Sequence, residues 1–252
     1  MTKTINIRSK EEIKKIHEAG LLVAEFLETV KPFIKPGIRT IDIDNLAGEF
    51  VNKYKVIATF KEVPNYFHNT CISINEQIVH GIPGDRVVME GDLVKVDFGI
   101  RKNGYIGDAC KSYTVGKVPE RITELVRVTE EALYKGIEKA IIGNKIGDLG
   151  YAIQRHVEKH RFSVVREYVG HGVGTDLHEP PSVPHFGQRN TGIELKAGMV
   201  IAIEPMINVG TWRSKVQSDG WTVVTQDGKW SAQYEHTIAI TENGPQILTS
   251  IK

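Results

Sequence analysis

The first part of the chain has apolar residues along one face of a helical pattern. They lie three, four or seven positions apart, which matches the turn of an α-helix. These positions are Ile13, Ile16, Val23, Leu27 and Val30. Ser9 and Glu12 have the spacing of a capping box, and Pro32 follows the last apolar position. The pattern predicts an amphipathic helix over residues 9–30.

Helical and strand-like patterns then follow each other in blocks. A second helix is predicted over residues 40–54, and short β-rich runs follow it: CISI, LVKVDF and KSYTV. From about residue 119 the same order returns, with helical patterns over 120–141 and 147–160 and strand-like runs SVV, MVIAIEPM and EHTIAIT. The chain therefore predicts an α+β fold in which helices precede strands twice.

Matching spacings relate the two halves of the chain. In both halves a glycine precedes an aspartate by five positions, a His-Gly pair occurs, and a glycine lies six residues before a carboxylate that ends an apolar run. The matched residues are Gly37 and Asp42 with Gly143 and Asp148, His80 with His171, Gly91 and Asp97 with Gly198 and Glu204, and Asp108 with Glu235. Coincidence explains one match more easily than four in the same order. We predict one domain over 1–252, built from two repeats (about 1–116 and 117–252) related by a pseudo-twofold axis.

The first pair of matched carboxylates flanks a hairpin signal. Asn103-Gly104 lies close to the midpoint between Asp97 and Asp108, and Asn-Gly favours a two-residue β-turn. We therefore expect the two aspartates opposite one another on paired strands. The midpoint between Glu204 and Glu235 falls at Asp219-Gly220, which predicts a similar but longer connection.

Carboxylates buried at strand ends need a partner of opposite charge. An ionised group in a medium of low dielectric constant is costly, and clustered like charges repel one another. Two divalent cations would neutralise four such carboxylates, and carboxylates that bridge two metal ions form a known type of hydrolytic site. A single Asp or Glu beside a strand is more often a turn former or a surface charge, so the prediction rests on the repeated spacing.

Two of the nine histidines have a sequence context that suggests a site. His171 lies in Gly170-His-Gly-Val-Gly174, where glycines leave space around an imidazole, and His178 follows seven residues later. Oxygen ligands with one imidazole and no thiolate suit Mn, Fe, Co or Zn ions. The histidines in helical patterns, His17, His156 and His160, are expected to face solvent.

The composition excludes several classes of protein. Net charge is +1, from 32 basic and 31 acidic residues, so nothing indicates a DNA-binding or membrane-binding surface. The two cysteines, Cys71 and Cys110, are not spaced as a metal-binding pair. No apolar stretch has the length of a signal peptide or a membrane span. We expect a cytoplasmic protein.

Several motifs together resemble those of the methionine aminopeptidase family, in its short type I form. They cover almost the whole chain: CISINEQIVHGIP from Cys71, GDLVKVDFG from Gly91, GYIGDACKSY from Gly104, GHGVGTDLHEPP from Gly170, GMVIAIEPM from Gly198 and WTVVTQDGKWSAQYEHT from Trp221. The resemblance implies a duplicated "pita-bread" fold, an antiparallel sheet with helices on its outer face, around a dinuclear metal site.

The resemblance also implies a ligand for each position of that site. Asp97 would chelate one divalent ion, His171 and Glu204 would bind the other, and Asp108 and Glu235 would bridge them. The two ions per chain would be Co, Mn, Fe or Zn. A water held between them would attack the first peptide bond, with Glu204 as proton shuttle.

The resemblance implies that further residues contact the substrate. His178 would contact the carbonyl oxygen of the scissile bond and His80 the next amide nitrogen. An apolar methionine pocket would be formed by Tyr66, Cys71 and Trp221. The sequence departs from the usual bacterial pattern here, with Phe60, Val63 and Leu177 where Cys, Tyr and Phe are usual.

The resemblance predicts a monomeric enzyme that removes the initiator methionine from nascent polypeptides and prefers a small second residue. Its work would require transient association with the ribosome. One alternative is a proline-specific peptidase of the same fold, such as aminopeptidase P or prolidase, although these usually have an additional N-terminal domain. The other is a non-catalytic peptide- or partner-binding member of the fold, which would be expected to have lost metal ligands.

Overall fold

A computed structural model describes residues 4–251, so Met1–Lys3 and Lys252, the ends of the predicted 1–252 domain, lie outside the described residues. Four α-helices occur in this part of the chain: α1 (Lys10–Val30), α2 (Thr40–Tyr54), α3 (Glu120–Ile137) and α4 (Ile146–Lys159). Short 3₁₀ turns cover Lys31–Phe33 and Thr59–Glu62. None of the described helices combines the length and apolarity that crossing a membrane requires.

The predicted helices form close to their expected bounds. The capping box of α1 is present, because the Glu12 amide donates to Ser9 Oγ at 3.2 Å and the Ser9 amide donates to Glu12 Oε2 at 2.8 Å. The prediction for α3 was wrong at its end, which comes one turn before residue 141. Ile141 and Ile142 are 40% and 46% exposed, so these apolar residues do not continue the buried face of the helix.

Fifteen short strands make up the sheets of the described chain. In chain order they are β1 (Ile57–Ala58), β2 (Cys71–Ile74), β3 (Gln77–Val79), β4 (Leu93–Lys102), β5 (Tyr105–Thr114), β6 (Ser163–Val164), β7 (Gly170–Gly172), β8 (Glu179–Val183), β9 (Val200–Ile203), β10 (Met206–Asn208), β11 (Ser214–Val216), β12 (Val223–Thr225), β13 (Ser231–Gln233), β14 (His236–Thr241) and β15 (Gly244–Ile247). All described pairings between these strands are antiparallel.

The first hairpin joins β4 to β5 through Asn103-Gly104. Both turn residues have positive φ, 52° and 81°, as a two-residue turn of this kind requires. The register pairs Asp97 with Cys110 and Gly99 with Asp108, so the prediction that the two aspartates lie directly opposite was wrong. The turn is centred one residue later than predicted, which moves Asp108 by two positions. It stays on the same face of the sheet, because side chains alternate with a period of two.

A longer hairpin runs from β9 to β14 with one register throughout. Ile203 pairs with His236, Met206 with Gln233 and Ser214 with Thr225. The loop is centred on Asp219-Gly220, as predicted, and the Gln217 amide donates to the Thr222 carbonyl at 2.8 Å to close it. The pairing at Ile203 therefore brings Glu204 beside Glu235.

The strand predicted over MVIAIEPM is broken at Glu204-Pro205. It forms two strands, β9 and β10, which belong to different sheets. Proline has no amide hydrogen to donate to a neighbouring strand, so the ladder is interrupted there. The break puts Glu204 where the long hairpin passes from one sheet to the next.

Each half has a large hydrophobic core of its own, and two smaller buried clusters contain residues of both halves. Helices α1 and α2 cover the core of the first half, in which all the residues lie between Ala19 and Val115. Helices α3 and α4 cover the second core, which lies beyond residue 116 except for Leu93. The structure thus has the predicted α+β architecture with helices outside the sheets. The repeat boundary near residue 116 stays a prediction, which this division of the cores supports.

Polar contacts join the halves where β13 crosses β4 and β5. Lys95 is 1% exposed, and its Nζ donates to the carbonyl oxygens of Asn75 at 3.0 Å and Ser231 at 2.8 Å. Ser112 Oγ donates to the Gln233 carbonyl at 2.7 Å. These bonds satisfy buried backbone groups and hold the strand before Glu235 against the first half.

Candidate active site

One cavity between the two halves contains every residue that the sequence analysis assigned to the site. These residues are Tyr66, Cys71, His80, Asp97, Asp108, His171, His178, Glu204, Trp221 and Glu235. The carboxylates and His171 come from strands of both halves, or from residues directly beside those strands. The repeated spacing in the sequence therefore corresponds to a meeting point in space.

The acidic part of the cavity has the donor set of a metal site. Ligand atoms of Asp108, His171 and Glu235 all lie within 4.8 Å of one another. His171 Nε2 is 3.5 Å from Glu204 Oε1 and 3.9 Å from Asp108 Oδ2. Asp97 lines the same cavity, diagonally across the hairpin from Asp108. Four carboxylates and one imidazole match the preference of divalent first-row transition ions.

Buried carboxylate oxygens without partners support this interpretation. Asp97 Oδ1, Asp108 Oδ1 and Glu235 Oε1 are buried and have no hydrogen-bond partner among the described residues. Burial raises the pKa of Asp108 to about 7. Burial and the neighbouring Asp108 charge also raise the pKa of Asp97 and Glu235. Such a cluster is unfavourable when ionised without cations, so the residues present fit bound divalent ions.

The local backbone orients His171 for ligation. Its Nδ1 lies 3.0 Å from the carbonyl oxygen of Gly172, so this nitrogen donates and Nε2 is left with a lone pair toward the carboxylates. Burial lowers the pKa of His171 to about 3, which keeps the imidazole neutral. Gly172 is required by close packing, because a Cβ there would lie 2.3 Å from the Pro180 carbonyl oxygen.

The two other predicted histidines border the carboxylates. The ring of His178 packs edge-on against His171, with centroids 4.4 Å apart, and the ring of His80 lies 5.7 Å from that of Tyr168. His80 has φ of 57°, an uncommon backbone conformation that is found at functional sites. Burial lowers the pKa of His80 to about 4 and lowers that of His178, so both are neutral near pH 7.

An apolar pocket adjoins the charged part of the cavity. Tyr66 packs edge-on against Trp221 at 5.1 Å between ring centroids, and its hydroxyl donates to the Thr70 carbonyl at 2.8 Å. The buried cluster of this pocket is formed by Phe60, Tyr66 and Cys71, with Val63, Ile82, Leu177 and Trp221 packed against it. The three positions that depart from the family pattern, Phe60, Val63 and Leu177, thus all lie in this pocket.

Two buried residues next to Glu204 were not found by the sequence analysis. His185 is 1% exposed, and its Nε2 accepts a hydrogen bond from the Glu204 amide at 3.1 Å. Gln233 Nε2 donates to Glu204 Oε2 at 3.3 Å. Gln233 lies two residues before Glu235 on the same extended segment, so the alternation of side chains along a strand could have placed it on the same face. No spacing singled out His185.

Sequence comparison relates the chain to metallopeptidases. The model of metallopeptidase family M24 matches residues 14–242. The chain is 49% identical to methionine aminopeptidase 1 of Bacillus subtilis over 244 residues, which cover 97% of this chain and 98% of that protein. The predicted resemblance to the methionine aminopeptidases is thereby confirmed.

Solved structures agree with this relationship. The structure of methionine aminopeptidase from Thermotoga maritima has a TM-score of 0.96 and 47% identity, and the match covers 98% of this chain and 100% of that one. Prolidase from Pyrococcus furiosus shares the fold with a TM-score of 0.78 at 24% identity, and the match covers 66% of its chain. The duplicated pita-bread fold is confirmed, and the chain belongs to metallopeptidase family M24.

Proposed function

We propose that this metallopeptidase removes the N-terminal methionine from polypeptides, with preference for a small second residue. The observation that carries the proposal is the apolar pocket of Tyr66, Cys71 and Trp221 in the same cavity as the carboxylate cluster. An unbranched thioether side chain suits such a pocket, because it is apolar and flexible. The relatives named methionine aminopeptidase support the same substrate.

The five clustered ligands Asp97, Asp108, His171, Glu204 and Glu235 would hold two divalent ions. The ions, from the group Co, Mn, Fe and Zn, would lower the pKa of water toward neutrality and polarise the scissile carbonyl. The unpartnered oxygens of Asp97, Asp108 and Glu235 are the support for this arrangement.

Glu204 acts as the proton shuttle of the reaction. Its carboxylate accepts a proton from the attacking water and passes it to the departing amine, and burial raises its pKa so that it can hold that proton. Gln233 fixes one carboxylate oxygen and His185 fixes the backbone, so the other oxygen stays directed into the cavity. This is the positioning that a general base requires.

The two neutral histidines orient the substrate. His178 donates to the carbonyl oxygen of the scissile bond, where negative charge develops, and a well-placed donor of this kind is typically worth about 2.7–4 kcal/mol. His80 contacts the amide nitrogen of the following residue. His80 and Tyr168 line the cavity together, and a small second residue would fit against their packed rings.

The substrates in the cell are the N-terminal methionines of nascent polypeptides. The enzyme works as a cytoplasmic monomer and associates transiently with the ribosome, because its substrates emerge there.

Substrate competition tests the proposed specificity. Metal-loaded enzyme is given Met-Ala-Ser and an Xaa-Pro peptide together, and both products are measured. Faster release from Met-Ala-Ser is expected, and faster turnover of Xaa-Pro would show that the chain is a proline-specific peptidase.

A variant of the proposed shuttle tests the chemistry. Glu204→Gln should lose at least about a hundredfold in kcat, which is within the range for general acid–base catalysis. Glu242→Gln removes an exposed carboxylate outside the cavity and should behave as wild type. If Glu204→Gln retained the turnover of this control at equal metal content, the assigned role would be wrong.

A further inference from the structure

Two imidazoles and two carboxylates meet on the outer face of the second half, where α4 packs on α3. We propose that His156, His160 and Glu131 form a second, peripheral site for a divalent transition ion of the zinc class. None of these residues lines the catalytic cavity. The helical pattern predicts that both histidines face solvent, but their side chains are only 19% and 24% exposed.

The geometry brings the three ligands within reach of one ion. His156 lies on α4 and His160 directly follows the last residue of that helix, and their ring centroids are 5.2 Å apart. Glu131 Oε2 of α3 lies 3.0 Å from His156 Nε2. One ligand atom from each residue falls within 4.8 Å of the others. Ligands of a tetrahedral zinc ion are about 3.3 Å apart, so the three ligand atoms would move closer together when the ion binds.

A second carboxylate orients the free imidazole. His160 Nδ1 lies 3.2 Å from Glu124 Oε1 on α3. A hydrogen bond from Nδ1 to this carboxylate leaves Nε2 with its lone pair available to the ion. This carboxylate–imidazole pairing is the usual support of a metal-bound histidine.

Two arginines hold the remaining carboxylate oxygens. Arg127 donates to Glu131 Oε1 at 2.6 Å and Arg121 donates to Glu124 Oε2 at 2.7 Å. Each glutamate therefore has one oxygen fixed and presents the other to an imidazole.

The donor set determines the class of ion. Two imidazole nitrogens and one carboxylate suit Zn²⁺, Ni²⁺ or Cu²⁺, whereas Mg²⁺ and Ca²⁺ prefer oxygen ligands. Bound Zn²⁺ would tie α3 to α4 and stabilise the folded state by mass action.

Zinc uptake by the full chain tests the proposal. Chelator-stripped protein is dialysed against buffered free Zn²⁺ with excess Mg²⁺, and bound zinc is counted for wild type, His160→Gln and Glu131→Gln. The control is His17→Gln, which removes a partly buried helical histidine far from this pair in sequence. Wild type and the control should each bind one more zinc ion per chain than His160→Gln does. Glu131→Gln should bind that equivalent at least about tenfold more weakly.

Anomalous diffraction at the zinc edge locates the bound ions independently of activity. A peak between His156 and His160 is expected in wild type, and Met-Ala-Ser turnover of the metal-loaded His160→Gln enzyme should be unchanged. The proposal is overturned if wild type and His160→Gln take up equal zinc, or if zinc peaks occur only in the catalytic cavity. These results would leave the proposed peptidase function intact.

Discussion

Gly99→Ala is a one-carbon perturbation aimed at Asp108. Gly99 pairs with Asp108 across the β4–β5 hairpin, and a Cβ at this position would lie 2.9 Å from Asp108 Oδ1 and 2.4 Å from Thr59 Oγ1. Both contacts are too short, and both partners are buried, at 4% and 1% exposure. The carboxylate must therefore move away from the position in which it faces His171 and Glu235.

The size of the effect follows from this crowding. Overpacking of a buried site typically costs about 1–3 kcal/mol, which corresponds to a fall in Tm of roughly 2–12 °C for a domain of this size. Displacement of Asp108, a proposed metal ligand, should weaken metal binding by at least about 10–100-fold, the usual loss when a supporting group alone is removed. Turnover at limiting metal should fall with it.

The assay is competition for metal with a chelator of known affinity, followed by Met-Ala-Ser hydrolysis at saturating metal. Gly84→Ala is the matched control, since a Cβ there has nothing within 4 Å. It should keep the stability, metal affinity and turnover of wild type. If Gly99→Ala bound metal and turned over like Gly84→Ala, Asp108 would not be held at the metal site by this hairpin, and the assigned geometry would be refuted.

Substitutions at three further positions test other parts of the structure. Burial lowers the pKa of His80 from 6.5 to about 4, so unfolding takes up a proton as pH falls through this interval. In urea unfolding of metal-free protein, the free energy of unfolding should fall as the pH is lowered through this interval, and it should fall by up to about 3 kcal/mol less for His80→Gln than for wild type. Equal falls would contradict this burial cost. Lys95→Met leaves the buried Ser231 carbonyl without its Lys95 donor, while the Asn75 carbonyl keeps the Ser231 amide as donor. This variant should lower the free energy of unfolding by about 1–3 kcal/mol, whereas an unchanged value would show that the Lys95 bonds contribute nothing net. His185→Leu removes the acceptor for the Glu204 amide and should lower kcat with little change in KM, while His185→Gln, which can accept through its amide oxygen, should restore it; equal kcat for both variants would refute the positioning role.

Local signals made much of the fold predictable. The capping box of Ser9 and Glu12 marked the start of α1, and Asn103-Gly104 marked a hairpin, because both depend on neighbouring residues alone. The repeated spacing identified the carboxylates that meet in the cavity. The exact register was less accessible, since a shift of one residue in the turn changes every cross-strand pair.

Features that depend on tertiary packing could not be predicted in the same way. His185 has no helical or strand period, and its importance arises only from its contact with the Glu204 amide. His156 and His160 had the pattern of an exposed helix face, but the packing of α3 beside α4 puts carboxylates against them. Pro205 indicated that the strand would be interrupted, but nothing in the sequence indicated that β9 and β10 would belong to different sheets.

The most direct test is hydrolysis of Met-Ala-Ser by the chelator-stripped chain, before and after separate addition of Mn²⁺, Fe²⁺, Co²⁺ and Zn²⁺. Release of methionine should cease when the metal is removed and return when at least one of these ions is restored. The stripped protein must remain folded, which circular dichroism can check. A folded, fully metal-loaded protein that leaves the peptide intact would contradict the proposed function.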